Sequence, residues 1–259
     1  MSASAESPRN AGRPTGSRSD RAELERRVPR GTDLPKATDI PKATDAPKVI
    51  DAPRASSATG WRSRGYLPHR DEIGLVQSIT FRLADSLPQE KLRQLEEVLA
   101  SFPTGKREIE RRRQIETWLD AGIGCCALRH PQLAAVVENA LLHFDSERYR
   151  LLAWCIMPNH VHVLIQPFAS LAGIVQSWKS YTGRWAMAHN AELELGVPGR
   201  NLWMKEYWDR YMRDEAHLRR TTDYIQENPV KAGLCATAGE WPWSSARYLG
   251  TRSSSSATG

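Results

Sequence analysis

The chain has 259 residues, with 36 Lys+Arg against 30 Asp+Glu and a formal net charge of +6. A pI near 9.3 suits a polyanionic partner, but so moderate an excess does not by itself define one. No apolar run reaches about 18 residues and no signal-peptide core is present, which excludes a helical membrane protein and predicts a soluble, cytoplasmic (nucleoid-associated) chain.

Residues 1–60 are rich in Ser, Arg, Ala, Pro and Asp. They contain a hexapeptide repeat: Leu34-Pro-Lys-Ala-Thr-Asp, Ile40-Pro-Lys-Ala-Thr-Asp, Ala46-Pro-Lys-Val-Ile-Asp, then Ala52-Pro-Arg. One proline in every six residues, with few apolar neighbours, cannot build a core, so the segment reads as a disordered tail. Residues 250–259, rich in serine, read as a second tail. The remaining 61–249 form one domain of ordinary size.

Within that domain, Leu75 to Leu83 alternates like a strand. Leu87 to Ala100, Lys106 to Asp120 and Pro131 to Phe144 read as helices, the second heavily charged with Arg111, Arg112 and Arg113 in succession. Tyr149 to Met157 and His160 to Gln166 form two strands joined by Pro158-Asn159, good turn chemistry. Leu171 to His189 is helical, Glu206 to Arg213 a short strand, and Asp214 to Asn228 a helix with Asp214 as N-cap and Pro229 as its stop. Trp241 to Ser245 is expected to pack back on the domain. The order β-α-β-β-α-β-α predicts an α+β fold, a ferredoxin-like antiparallel sheet with helices on one face. Cys125, Cys126, Cys155 and Cys235 show no C-x-x-C spacing and read as reduced thiols.

The most informative stretch is Pro158-Asn159-His160-Val161-His162-Val163-Leu164-Ile165. Alternate residues of a strand share a face, so His160 and His162 project together with Cα atoms about 7 Å apart. Two imidazoles on that spacing can converge on a divalent ion, while Val161, Val163 and Ile165 face the core. The same pattern also suits a solvated pair on a half-buried strand. Downstream, Tyr224 and Asn228 lie four residues apart and so share one helical face, about 6 Å apart along the axis. They offer a phenol and a carboxamide to the histidines; packing of Tyr224 on the sheet with Asn228 as a helix cap is the alternative.

This order of motifs resembles the single-tyrosine HUH transposases, and most closely the REP-associated tyrosine transposases. The resemblance rests on the Met157-Pro-Asn-His-Val-His hairpin and on Tyr224-Ile-Gln-Glu-Asn-Pro-Val-Lys-Ala-Gly. It is extended by Leu202 to Arg210 and by Arg64-Gly-Tyr-Leu-Pro-His. It covers about residues 61–249 and implies the same fold. By position it implies metal-binding histidines at His160 and His162, a nucleophile at Tyr224 and a third ligand at Asn228. The related insertion-sequence enzymes often carry Gln at that last position; Asn is one methylene shorter but keeps the carbonyl oxygen. Tyr181, which also follows the histidine pair, does not match the nucleophile.

Basic residues interleaved with aromatic rings suit single-stranded DNA, with cations for phosphates and flat rings for unstacked bases. Lys179, Arg184, Arg210, Arg219 and Arg220 are the candidate DNA contacts, set among Trp178, Tyr181, Trp185, Tyr207 and Trp208. The expected activity is Mg²⁺- or Mn²⁺-dependent cleavage and rejoining of DNA hairpins through a 5′-phosphotyrosine. A water-using phosphoesterase and a hairpin-binding regulator that does not cut are the alternatives. The sequence leaves monomer and homodimer open.

Overall fold

The computed structural model describes residues 61–63 and 68–248; the Pro-repeat segment and the serine-rich end lie outside the described residues. A short antiparallel pair, β1 (Trp61–Ser63) and β2 (Pro68–Arg70), precedes the main sheet. That sheet contains β3 (Gln77–Arg82), β4 (Tyr149–Ile156), β5 (His160–Pro167) and β6 (Trp208–Tyr211) in the antiparallel order β4-β5-β3-β6. This is the ferredoxin-like arrangement, with the first and third strands of the motif at the centre. Between β3 and β4 run α1 (Gln89–Ala100), α2 (Thr104–Asp120) and α3 (Pro131–His143). Helix α4 (Leu171–His189) links β5 to β6, and α5 (Glu215–Lys231) follows β6.

Alternation along the strands divides the sheet into two unlike faces. Ile79, Phe81, Val161, Val163 and Ile165, nearly free of solvent, pack with Leu133 and Leu141 of α3 and with Ile174 and Trp178 of α4. Phe81 stacks on Trp178 at 6.2 Å and meets Trp203 edge-on at 4.8 Å. On the opposite face Ala153, Cys155, Leu164 and Met212 pack under Ile225 of α5. The expectation of helices on one face therefore needs refinement: α3 and α4 cover one face and α5 the other. The physical reason is the histidine-bearing face, which is too apolar at Leu164 and Ala153 to stand open to water.

The helical hairpin α1–α2 builds a satellite core of Leu87, Leu95, Leu99, Ile115 and Leu119, against which Trp118 and Trp208 pack. Arg111 of α2 joins Glu96 of α1 at 2.7 Å. Asp214 caps α5 by accepting from the His217 amide at 2.7 Å, as expected. Pro229, expected to stop that helix, lies inside its last turn, and the Ala232 amide still donates to the Asn228 carbonyl at 2.9 Å. Residues 241–245 do return to the sheet. The Ile156 amide donates to the Trp243 carbonyl at 2.8 Å, and the Trp241 indole donates to the Ile156 carbonyl at 2.9 Å.

Trp178 shows what the core requires. Its indole N–H donates to the Tyr149 hydroxyl at 3.0 Å, and that hydroxyl donates to the Leu141 carbonyl at 2.6 Å, tying α4, β4 and α3 together. Trp178→Ala should cost about 3–5 kcal/mol, read as a lower urea midpoint with an unchanged m-value.

Candidate active site

The two histidines meet. His160 and His162 are 1% and 2% exposed, and their Nε2 atoms lie 2.9 Å apart with the rings nearly perpendicular. A solvated pair is thereby ruled out. The outer nitrogens are held as well. His160 Nδ1 lies 2.7 Å from Asn159 Oδ1, and His162 Nδ1 lies 2.9 Å from Thr80 Oγ1. The Asn159 amide nitrogen donates to the Ile123 carbonyl at 2.9 Å, which turns its oxygen toward His160. An amide oxygen only accepts, so His160 carries its proton on Nδ1 and presents a lone pair at Nε2. Thr80 can donate or accept, so His162 can take either tautomer. A single chain of hydrogen bonds runs from Thr80 through His162, His160 and Asn159 to Ile123.

Ile123 is itself fixed by its loop. Gly124 has φ +97°, and a β-carbon there would meet the Asp85 carbonyl oxygen at 2.9 Å. The Asp85 carboxylate accepts from the Cys125 amide at 2.6 Å.

Tyr224 reaches this pair from α5. Its ring meets that of His162 edge-on at 5.6 Å, and the Lys231 ammonium sits 4.6 Å over its face. Burial first, then Glu116, push the phenol well above its usual range, with Asp120 adding a smaller effect in the same direction; the Asn228 amide opposes them. Asn228 is fully buried, and neither amide heavy atom makes a hydrogen bond of ordinary geometry. Tyr181 is elsewhere: it packs against the core under α4, on the other side of the sheet.

A cavity of about 340 Å³ opens beside the pair, lined by Thr80, His162, Tyr224, Trp208, Arg112, Arg210, Arg220 and Glu116 among others. Two of the five candidate DNA contacts, Arg210 and Arg220, therefore stand at the site. Arg219 pairs with Glu215 at 2.6 Å along exposed α5. Arg184 is exposed on α4, whose buried residues pack on the opposite face of the sheet. Lys179 is a correction: its ammonium donates to the carbonyls of Met204 and Lys205, both at 2.6 Å, and burial pushes it down to about 8. A cation committed to two carbonyls fastens α4 to the 202–205 segment and has little left for phosphate.

Sequence reasoning did not find Thr80, Asn159, Arg112, Glu116 or Asp120. Asn159 was legible only as a turn residue, and the α2 residues only as part of a charged helix whose packing was unknown. Arg82 is a further cation near the cavity. It is buried, pushed down to about 10 by that burial, lies 5.6 Å from the Trp208 ring and donates to Ser86 at 3.1 Å.

A histidine pair and a helical tyrosine stand on one face of the ferredoxin-like sheet, the arrangement that the resemblance to single-tyrosine HUH proteins implies. Residues 130–228 match the family model described as "Transposase IS200 like". The chain is 23% identical over 110 residues to the REP-associated tyrosine transposase of Escherichia coli strain K12, covering 42% of this chain and 62% of that one. It is 27% identical over 110 residues to the protein assigned to the same class in Haemophilus influenzae, covering 38% and 58%. The match thus spans about three-fifths of the length of these relatives. A solved REP-associated tyrosine transposase bound to a REP hairpin aligns over 74% of this chain and 86% of that chain, at 17% identity and a TM-score of 0.43. The family resemblance drawn from the motifs is borne out by the family model and both relatives.

The burial of the histidines has a measurable consequence. Burial, then Lys231, push His162 down to about 4; burial, then His162, push His160 well below its usual range. An unfolded histidine binds a proton near pH 6.5 while these folded ones stay neutral. In chelator, stability should therefore be full above about pH 6.5 and fall toward about pH 4, by up to about 1.4 kcal/mol per pH unit for each histidine. Urea midpoints followed across that window should show the decline, and His162→Asn should flatten it.

Proposed function

We propose that this chain is a metal-dependent, single-stranded DNA transposase/endonuclease that cleaves and rejoins DNA at hairpin sites through a 5′-phosphotyrosine. The observation that carries this reading is the buried Nε2 pair at 2.9 Å facing Tyr224 beside a cavity lined by three arginines. Two imidazole nitrogens this close on one buried face would both be able to hold a divalent ion once the proton they share is moved to the outer nitrogen of His162. The buried Asn228 amide, beside Tyr224 on the same helix, would supply a third oxygen donor to the set. Mg²⁺ or Mn²⁺ suits such mixed nitrogen and oxygen ligands, and when bound supplies polarisation of the scissile phosphate and neutralisation of transition-state charge.

The chain's own residues do the rest. Arg112, Arg210 and Arg220 hold backbone phosphates, and Trp208 offers a ring to an unstacked base. Tyr224 Oη attacks phosphorus as the bond to the 3′-oxygen breaks. The phenol loses its proton, the leaving 3′-oxygen gains one, and the phosphodiester passes to the tyrosine. Because an ester is conserved, a 3′-hydroxyl can later reverse the step and join strands, which attack by water would not allow.

Incubation with labelled single-stranded hairpin DNA and Mn²⁺ should give a covalent adduct on a denaturing gel. Tyr224→Phe should abolish the adduct and Tyr181→Phe should not. Cleavage that survives in Tyr224→Phe assigns the site to a water-using phosphoesterase, and binding without any cleavage assigns the protein as a hairpin-binding regulator. His160→Ala or His162→Ala should remove cleavage while leaving hairpin affinity within a few-fold, since the phosphate contacts lie on other residues.

A further inference from the structure

We infer that Asp120, at the end of the inserted helix α2, is a carboxylate ligand of the same metal site; the inference rests on the reading of His160 and His162 as ligands. Asp120 Oδ1 lies 3.9 Å from His160 Nε2. The side chain as a whole is 30% exposed, yet Oδ1 itself is sealed from solvent and has no hydrogen-bond partner. A buried carboxylate oxygen with no donor is costly, and such groups in native proteins are paired or ligate cations. The nearest ring atom cannot relieve it, because Asn159 and Ile123 place the His160 proton on Nδ1, and Nε2 accepts from His162. An anionic oxygen and an acceptor nitrogen 3.9 Å apart with no proton between them repel each other. A divalent cation between them converts that repulsion into two ligand bonds.

The spacing is short of final. Among the described residues no three of His, Cys, Asp and Glu already stand at ligating distance. Closing 3.9 Å to the roughly 3.0 Å expected of cis ligands takes a shift of about 1 Å, within reach of one χ rotation at a helix end. Asp120 is the last residue of α2, where the helix gives way to the loop that carries Ile123. The residue also lies upstream of the family-matched segment 130–228, on a helix hairpin that lengthens the connection between the first two strands of the motif. In this chain the insertion is therefore part of the metal centre as well as a wall of the DNA cleft. The resulting set, His160, His162, Asp120 and Asn228, leaves positions open for a phosphate oxygen.

Titration of the full-length protein with Mn²⁺, without DNA, tests this by calorimetry and by thermal melting. Asp120→Asn should weaken Mn²⁺ binding at least tenfold, and His160→Ala and His162→Ala should weaken it as much or more. In chelator Asp120→Asn should melt at or above the wild-type temperature, because it removes the negative charge from an oxygen that has no hydrogen-bond donor. The Mn²⁺-induced rise in melting temperature should shrink. Wild-type Mn²⁺ affinity in Asp120→Asn, with binding lost in the histidine variants, overturns the role of Asp120 and leaves the nuclease reading intact. Wild-type affinity in the histidine variants, or no Mn²⁺ binding by the wild-type protein, overturns both.

Discussion

The close approach of two imidazole nitrogens on a face of the sheet closed to water is the constraint around which the molecule is arranged. At 2.9 Å, with both rings buried, the pair tolerates one shared proton or one cation, and burial opposes any extra proton. The surroundings follow from that. Asn159 and Thr80 hold the outer nitrogens, and the tight turn at Gly124 holds the Ile123 carbonyl that orients Asn159. On the proposed reading, a metal would enter only once His162 moves its proton to Nδ1. A threonine hydroxyl permits this, because it can turn from donor to acceptor, whereas an amide oxygen could not.

The electrostatics around Tyr224 are set against ionisation in the resting protein. Burial and Glu116 are the leading effects, and Asp120 adds to them. Glu116 and Asp120 are one turn apart on α2, so the helix that lines the cavity also holds Tyr224 protonated. Arg112 enters from the same helix, and Arg210 and Arg220 from β6 and α5. On the proposed reading, a bound divalent ion would offset the two carboxylates and so ease ionisation of Tyr224. A phenol free to ionise without substrate would waste its reactivity; one held neutral until the cleft fills would not.

The sequence carried much of this, in unequal measure. The strands and helices from 75 to 228 were legible to within a few residues because the apolar period of each agrees with its packing. Leu171–His189 coincides with the observed helix, and the histidines share a face because a strand has period two. What failed depended on three-dimensional neighbours. The fate of Lys179 was invisible because its carbonyl partners lie 25 and 26 residues away. The importance of α2 was invisible for the same reason: Arg112, Glu116 and Asp120 sit in a run of charges that reads as a solvated face. Helices on the second face of the sheet were missed because the stripe on α5 is only partial. It buries little more than Ile225, Asn228 and Pro229, and the remainder of that surface is site.

Pro229 shows how the same helix serves both packing and chemistry. Proline cannot donate to the carbonyl four residues back, which belongs to Ile225, so the last turn of α5 is loosened just after Asn228. The helix nevertheless continues to Lys231, because the Ala232 amide bonds to Asn228 and the Leu234 amide to the Pro229 carbonyl at 2.8 Å. One extra turn places the Lys231 ammonium over the Tyr224 ring. The chain beyond it returns through Trp241 and Trp243 to the edge of β4, behind α5. Tyr224 and Asn228 are thus carried on a helix held at its start by the Asp214 cap and at its end by the returning chain. On the proposed reading, an attacking oxygen at Tyr224 would gain most from such fixed placement, since a displacement of about 1 Å at the reacting atom can cost about a hundredfold in rate.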